Sequence, residues 1–316
     1  MDLRHLRNML AVIEEGSLGK AAEKLNISQP ALTKSIQRLE EQLGVKLFER
    51  KARGMEATSY ADSLRAYAQS ACVGMTQALK EIHALKSGTE GVITVAGPPL
   101  IATELLTEAS VRLAAERPNL QFRIVAQNQE LFTALLAGEF NLVVAMLYNE
   151  MPKVGLTKRW LFDDRLVLVT RPNHPVAKLK KVRPRDLLGY QWAIADGTTW
   201  HRRRLELFFE QDGLGMPRAS IESREPAILK SVIMQSDHIG VIAKLGVEKE
   251  IAEGLLSAIE FDSPLMMRPV GIVQRESDMP SPAINAFIRI IETVCTERGY
   301  RKKTAPERAV ARQTPA

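Results

Sequence analysis

The sequence predicts an α/β protein with an all-α N-terminal head, and three observations carry this prediction. Two short helical patterns with a tight turn between them occupy residues 17–43, an unbroken heptad pattern follows over residues 61–85, and strand and helix patterns alternate from residue 91. Such alternation is typical of layered α/β domains. The 316 residues suffice for two domains, and 45% hydrophobic with 25% charged residues is an ordinary globular composition.

The head is predicted to contain a helix-turn-helix. Ser17 can cap the first short helix and Ser28 the second, Pro30 falls in a first turn, where a missing N–H is tolerated, and Gly44 ends the second helix. The apolar positions of this second helix are Leu32, Ile36, Leu39 and Leu43. An earlier amphipathic helix would complete a three-helix core with Leu3, Leu6, Leu10 and Ile13.

The outer face of the second helix is rich in hydrogen-bond donors. It carries Gln29, Thr33, Lys34, Gln37 and Arg38. Such side chains donate to phosphates or to base edges in the major groove of double-stranded DNA, although a polar face that is only solvated is the alternative. Two strand-like runs around Arg53 and Gly54 favour DNA, because they predict a locally basic wing that can lie along a phosphate backbone.

A known family shows the same ordered motif. The stretch SQPALTKSIQRLEEQLGVKLFERKARGMEAT at 28–58, preceded by GSLGKAAEKL at 16–25, resembles the winged helix-turn-helix of LysR-type transcriptional regulators. The resemblance implies that six residues face DNA, namely Gln29, Pro30, Thr33, Lys34, Arg38 and Arg53. Thr33 and Lys34 stand where the family more often has Ser and Arg.

The heptad pattern predicts a long helix that joins two subunits. Its seam consists of Leu64, Ala68, Ala71, Met75, Ala78, Ile82 and Leu85. Thr58 or Ser59 can cap this helix and Gly88 can end it, which gives about 28 residues and a length of about 40 Å. A rod of this length has no core of its own, so we expect a linker helix that forms a homodimer through residues 59–88.

The remaining chain predicts two α/β lobes with mostly parallel sheets. Strands are predicted at 91–97, 120–126, 140–147, 166–170, 192–195 and 219–222, and helices at 101–116, 130–137, 205–210 and 227–235. RPNHPVA at 171–177, GEFNLVVAML at 138–147 and DHIGVIA at 237–243 resemble the family's two-lobed, periplasmic-binding-protein-like effector domain.

The resemblance implies domain boundaries and a ligand cleft. The head would span 1–58, the linker helix 59–88 and the effector domain 89–300, with lobe one at 91–161 and 268–300 and lobe two at 162–267. Hinges would lie near Leu161 and Arg268, and the ligand would bind between the lobes.

Loops at strand ends supply the candidate effector site, because open α/β sheets bind ligands there and helix N-termini favour anions. The candidates are Pro98, Pro99, Leu100, Asn128, Thr198, Thr199, Trp200, His201 and Arg202. Hydroxyls, an amide, an aromatic wall and a cationic side suit a small organic anion, such as an aromatic carboxylate or sulfonate. The alternative for individual members is structural: a cap for Thr198, core packing for Trp200 and solvation for Arg202.

Several function classes are not indicated. No GxSxG, P-loop, GxGxxG or paired-carboxylate motif suggests an enzyme, and the five scattered histidines suggest neither a metal site nor a cofactor. Cys72 and Cys295 stand far apart and are expected to be free, mostly buried thiols, with a redox-sensing pair as the alternative. No export signal or membrane span is recognisable, so a cytoplasmic location is expected.

The net charge of +6 is weak evidence for DNA binding, because most of the excess positive charge lies in the C-terminal tail. Residues 298–316 hold six basic residues and one acidic residue, and we expect the tail at 301–316 to be disordered, with an additional DNA-binding arm as the alternative. The sequence thus predicts a DNA-binding regulator controlled by a small ligand. The family resemblance further implies homotetramers and contact with RNA polymerase, while a solute-binding module without a DNA role is the rival function.

Overall fold

The computed structural model describes residues 2–51, 54–87, 91–147, 151, 155–179, 182–197, 199–261, 263–278 and 281–300. Arg53, Thr198 and the tail at 301–316, which the sequence analysis singled out, lie outside the described residues. None of the described helices is both long and apolar enough to cross a membrane.

The head consists of three helices and a two-stranded wing. These elements are α1 (Leu3–Glu15), α2 (Leu18–Lys24), α3 (Gln29–Leu43), β1 (Phe48–Lys51) and β2 (Gly54–Ala57). Ser17 and Ser28 cap α2 and α3 as predicted, and Gly44 ends α3 in the left-handed conformation with φ of +70°. The buried side of α1 contains Leu6, Met9 and Val12. Leu43 of α3 was predicted to lie on the apolar side of this helix, but it is 39% exposed and lies outside the core.

Two sets of hydrogen bonds fix the wing to the helices. The carboxylate of Glu40, only 8% exposed, accepts hydrogen bonds from the backbone N–H groups of Leu47 at 2.8 Å and Phe48 at 3.3 Å. The Met55 N–H donates to the Gly16 carbonyl at 2.8 Å. A Cβ on Gly54 would lie 2.4 Å from that same carbonyl oxygen, so only glycine permits this approach.

The linker helix α4 (Ser59–Ser87) begins after Thr58, whose hydroxyl accepts from the Ala61 N–H at 3.4 Å. Its seam divides into two parts. Ala68 is fully buried and Leu64 half-buried against the head, beside fully buried Ala61. The prediction that Leu64 and Ala68 face a partner subunit is therefore wrong, because both pack in the subunit's own core. The later seam positions are exposed, namely Ala71, Met75, Ala78 and Ile82.

Seventeen further elements follow within the described residues, with short 3₁₀ turns between some of them. Lobe one contains β3 (Val92–Gly97), α5 (Pro99–Ile101), a π-helical turn (Ala102–Leu106), α6 (Thr107–Glu116), β4 (Gln121–Ala126), α7 (Leu131–Leu136) and β5 (Leu142–Met146). Next come β6 (Leu156–Thr170), β7 (Trp192–Ile194), α8 (Trp200–Glu210), β8 (Ala219–Glu222), α9 (Pro226–Gln235) and β9 (Gly240–Ala243). The last are α10 (Glu248–Ala252), β10 (Ser257–Glu260), β11 (Met267–Arg275) and α11 (Pro282–Glu297).

The sheet topology corrects the expectation of mostly parallel strands. β3 pairs in parallel with β4 and β5, and β7 with β8, but β6 and β11 pair antiparallel with each other and with their other neighbours. In lobe one the sheet lies between α6 with α11 on one face and α7 on the other. In lobe two it lies between α8 and α9.

Strand β6 passes from one lobe to the other. Its residues 156–165 pair with β11 in lobe one, and its residues 166–170 pair with β9 and β10 in lobe two. The passage lies beyond the hinge predicted near Leu161, which is buried in the lobe-one core. The return begins at Met267, next to the predicted second hinge at Arg268.

Candidate functional site

The exposed face of α3 presents the donor-rich side chains together. Gln29, Pro30, Lys34 and Arg38 are exposed, and Thr33 is half-buried with its hydroxyl donating to the Gln29 carbonyl at 2.9 Å. Within the described part of the chain, Lys34 and Arg38 form no ion pair. This face therefore offers two uncompensated cations beside neutral donors, as a duplex-binding helix requires.

The wing is less basic than its composition suggests. Lys46 pairs with Glu40 at 2.6 Å and Lys51 with Glu49 at 2.9 Å, and each carboxylate raises the pKa of its lysine. Arg50 is exposed and has no ionic partner among the described residues. Arg50 is therefore the described wing residue whose charge is available to a phosphate.

A cavity of about 500 Å³ lies between the two lobes, a size suited to a small molecule. Lobe one contributes the loop after β3, the start of α7 and the end of β5, and lobe two contributes the starts of α8 and α9 and strand β9. Its lining includes Pro98, Pro99, Leu100, Asn128, Phe132, Met146, Thr199, Trp200, His201, Arg224 and Arg268.

Most of the candidate effector residues with described positions come together in this cavity. Arg202 is the exception, because its side chain, 14% exposed, pairs with Glu206 at 3.1 Å and Glu222 at 3.4 Å in lobe two. The Thr199 hydroxyl lines the cavity but accepts from the Arg202 N–H at 3.2 Å, so it serves as the cap of α8. The capping role considered for Thr198 thus belongs to Thr199.

His201 is held neutral at the inner side of the cavity. Burial, reinforced by the charge of Arg268, lowers the pKa of His201 to about 3. The Arg268 guanidinium donates from Nη1 to Nε2 of His201 at 3.0 Å. Since a guanidinium can only donate, the proton of the neutral ring lies on Nδ1, which makes this atom a hydrogen-bond donor.

The two cavity arginines are balanced by carboxylates. Arg268 donates from Nε to Asp164 at 2.8 Å, and both side chains are almost fully buried where β6 passes between the lobes. Arg224 pairs with Asp196 at the end of β7 but keeps 53% of its side chain exposed. Glu130, which also lines the cavity, has a left-handed backbone with φ of +58° just before α7.

Sequence reasoning missed Arg224, Arg268, Phe132 and Met146 as cavity residues. Met146 lies next to the end of the strand predicted at 140–147, and Phe132 lies in the first turn of the helix predicted at 130–137. Their places near strand and helix ends were therefore a usable signal. Arg268 had been named only as a hinge, because the pairing of β11 with β6 that brings it to the cavity is long-range.

Comparisons with known proteins agree with this two-part architecture. The family described as bacterial regulatory helix-turn-helix protein, lysR family, matches residues 3–62, and the LysR substrate binding domain matches residues 86–296. The HTH-type transcriptional regulator GbpR of Azospirillum brasilense is 25% identical over 309 residues, covering 97% of this chain and 90% of the relative. The regulator PcaQ of Agrobacterium fabrum is 25% identical over 295 residues, covering 93% and 95%.

Solved structures share the fold along the whole chain. A full-length OxyR variant from Pseudomonas aeruginosa superposes with a TM-score of 0.61 at 20% identity, covering 97% of this chain and 99% of that one. Full-length BenM gives a TM-score of 0.56 at 23% identity, covering 96% and 100%. Together with the matches to both family domains, these findings show that the chain belongs to the LysR family of transcriptional regulators, with a DNA-binding head and an effector-binding domain.

Proposed function

We propose that this regulator binds double-stranded DNA as a homodimer and that a small organic anion in the cavity between the lobes changes this binding. Regulators of the family bind DNA and small-molecule effectors and form oligomers. The observation that carries the proposal is the cavity itself, because it is lined from both lobes. A ligand there can favour one arrangement of the lobes over another, which is the requirement for a population shift.

The proposal divides the chain into a head at 1–58, a linker helix at 59–88 and an effector domain at 89–300. Gln29, Pro30, Thr33, Lys34 and Arg38 of α3, with Arg53 of the wing, are proposed to contact DNA. The exposed face of α3 supports this assignment for the described residues. Assembly into tetramers and contact with RNA polymerase are further parts of the proposal, and acting on the chromosome would place the protein in the cytoplasm.

The chemistry of the cavity supports a monoanion with an apolar body. The eleven-residue helix α8 and the ten-residue helix α9 both begin at the cavity, and helix N-termini attract negative charge. The exposed guanidinium of Arg224 can add a charge-assisted hydrogen bond. Phe132, Met146 and Trp200 supply apolar surface, which suits an aromatic carboxylate better than a sugar.

Other features of the cavity weaken its attraction for highly charged ligands. Pro98 and Pro99 remove two amide donors from the loop after β3, and Glu130 adds a negative charge. Asp164 and Asp196 already neutralise most of the charge of the two arginines. We therefore expect a single carboxylate or sulfonate to bind better than a dicarboxylate.

A thermal-shift screen of the full chain tests this proposal. Benzoate and benzenesulfonate should raise the melting temperature by mass action, by an amount that grows with ligand concentration. Arg224→Gln should raise the ligand concentration needed for a given shift about tenfold, because it removes one charge-assisted hydrogen bond. The matched control is Arg203→Gln, since Arg203 pairs with Glu206 and Glu210 and does not line the cavity.

The same screen includes neutral sugars, amino acids and dicarboxylates. Stabilisation by a sugar, with no response to aromatic acids, would refute the ligand class. An equal loss of the benzoate shift in both arginine variants would show that the cavity is not where benzoate binds.

A further inference from the structure

Helix α7 lines the cavity, and the loop that follows it lies against the linker helix. Its first turn, with Leu131, Phe132 and Thr133, lines the cavity, and Gly138, two residues beyond its end, contacts Val73 of α4. We infer that α7 and the loop after it transmit occupancy of the cavity to the linker helix. The inference deepens the proposed function by assigning the route of regulation, and it rests on that function only in treating the cavity as the effector site.

The contact between Gly138 and Val73 is close and specific to glycine. A Cβ at Gly138 would lie 2.8 Å from both methyl carbons of Val73, and the backbone there has φ of +82°. Both facts exclude other side chains, because such a Cβ would clash and this φ is unfavourable for L residues. Val73 is only 7% exposed, although Gly74 and Met75 beside it are exposed. The effector domain therefore shields Val73.

Val73 lies opposite the exposed seam of α4. It is two residues from both Ala71 and Met75, and two residues correspond to a rotation of about 200° around an α-helix. The contact with Gly138 thus leaves the seam free for a partner subunit. A movement at Val73 can shift or rotate a helix that also packs on the head through Ala61 and Ala68.

Hydrogen bonds hold the segment from α7 to Phe140 together. Gly138 N–H donates to the Leu135 carbonyl and Glu139 N–H to the Ala134 carbonyl, both at 3.0 Å, which closes the helix in a Schellman motif. Buried Arg275 of β11 donates to the carbonyl of Phe140 at 2.6 Å and also to that of Leu135.

Close packing makes α7 and the residues up to Phe140 a short rigid segment rather than a flexible loop. The six residues of α7 span about 9 Å at 1.5 Å per residue. Leu131 and Leu135 are 5% and 0% exposed in the lobe-one core, so a displacement at the first turn cannot be absorbed in empty space. A ligand that presses on Phe132 or Thr133 must therefore move Gly138 or strain the core.

A covalent probe tests the route without the natural effector. Thr133 is exposed in the cavity, so Thr133→Cys in a Cys72→Ala background can be labelled with benzyl methanethiosulfonate, while buried Cys295 stays unreactive because burial raises its pKa to about 12. We expect labelling of the full chain to change amide hydrogen exchange in residues 70–79 of α4 by at least about fivefold. A label at Thr293→Cys, on the exposed face of α11, should leave this exchange unchanged.

The decisive variant is Val73→Ala, which removes the side-chain atoms that meet Gly138. It should abolish the response of residues 70–79 to the Thr133→Cys label, whereas Thr76→Ala, at an exposed position one turn away, should keep it. Val73→Thr preserves the shape and should restore the response, which guards against a merely misfolded alanine variant. An unchanged exchange in α4 on full labelling, or a response that survives Val73→Ala, would overturn the inference. Failure of benzoate to bind would affect only the proposed ligand class.

Discussion

The charge of His201 is set by its neighbours and not by the surrounding solution. Burial and the positive charge of Arg268 both disfavour the imidazolium, and the pKa of His201 falls to about 3. Asp164 holds the Arg268 guanidinium in place, so the donor to Nε2 is fixed in direction. The ring is therefore neutral throughout the physiological pH range, with its proton on Nδ1.

This arrangement predicts a pH dependence of stability. The native pKa near 3 lies below the unfolded value near 6.5, so the unfolded chain binds more protons between these values and stability falls as the pH drops through this window. From pH 7 to pH 5 His201 should remove about 2 kcal/mol of unfolding free energy. His201→Gln, which still offers Arg268 an acceptor, should lack this part of the loss in urea titrations at both pH values. If the original protein and His201→Gln lost the same unfolding free energy between pH 7 and pH 5, His201 would not be neutral in the folded state.

The outcome for individual site residues shows what a sequence can and cannot reveal. Asn128, Trp200 and His201 could be predicted because each follows a recognisable strand, and the segments after strand ends converge in α/β folds. Arg268 could not, since it lies in MRPVGIVQR, where one proline and two arginines obscure the strand pattern. Its position depends on pairing with β6, about 100 residues earlier in the chain.

At the level of elements, we propose different roles for α3 and the wing in binding DNA. The exposed face of α3 can enter a major groove, where Gln29 and Lys34 can reach base edges. The wing offers Arg50 to the backbone, while Lys46 and Lys51 are occupied by carboxylates. Base contacts specify sequence and phosphate contacts do not, so variants in the two elements should behave differently.

The prediction concerns Lys34→Ala and Arg50→Ala, measured on a duplex selected from a random pool. Lys34→Ala should weaken binding by about 1–3 kcal/mol and relax the preference at one base pair. Arg50→Ala should weaken binding to selected and scrambled duplexes alike. It should also lower the number of counterions released on binding, obtained from the salt dependence of the affinity, by about one. Fluorescence anisotropy at several salt concentrations separates the two effects. The roles proposed for α3 and the wing would be wrong if Arg50→Ala altered the base preference, or if Lys34→Ala weakened binding to all duplexes equally.

The attachment of the wing depends on Glu40, a buried carboxylate near the end of α3 that the sequence analysis did not single out. Its carboxylate is the acceptor for the N–H groups of Leu47 and Phe48. Glu40→Ala would leave these amides without that acceptor and should destabilise the head by about 1–3 kcal/mol. Glu41→Ala, at the exposed neighbouring position, should change the melting temperature little. Similar melting temperatures for the two variants, measured by circular dichroism, would argue against this anchor.

The elements also differ in how well the sequence predicted them. Caps and helix ends in the head follow local rules, so Ser17, Ser28 and Gly44 could be assigned correctly. The five-residue strand predicted at 166–170 is instead the end of a fifteen-residue strand. Its first part, LTKRWLFDDR, carries five charged residues and shows no clean alternation. Partners far along the chain determine that part of the strand, and a local pattern cannot report them.

At the scale of the whole molecule, α4 contacts both the head and the effector domain and presents an exposed apolar seam. Ala61 and Ala68 anchor it to the head, Val73 contacts the effector domain, and the seam from Ala71 to Ile82 remains exposed. The heptad pattern predicted the seam but could not show which positions pack within the subunit. Met75 at 48%, Leu79 at 51% and Ile82 at 59% exposure form an apolar strip that a partner helix would cover.

Pairing of two such helices is required if both heads are to bind neighbouring half-sites. Ala71→Glu combined with Ala78→Glu places two negative charges on the exposed seam, opposite the same charges in the partner, and should yield monomers. The matched control is Gln69→Glu with Thr76→Glu, which has the same spacing and charge on a different face of α4. Sedimentation velocity measures the oligomeric state, and anisotropy measures binding to the selected duplex. The seam variant should lose specific binding while circular dichroism shows a folded head, and the control should retain it. A monomeric seam variant that still binds this duplex tightly would show that α4 does not set the position of the heads, since one head alone would then account for the affinity.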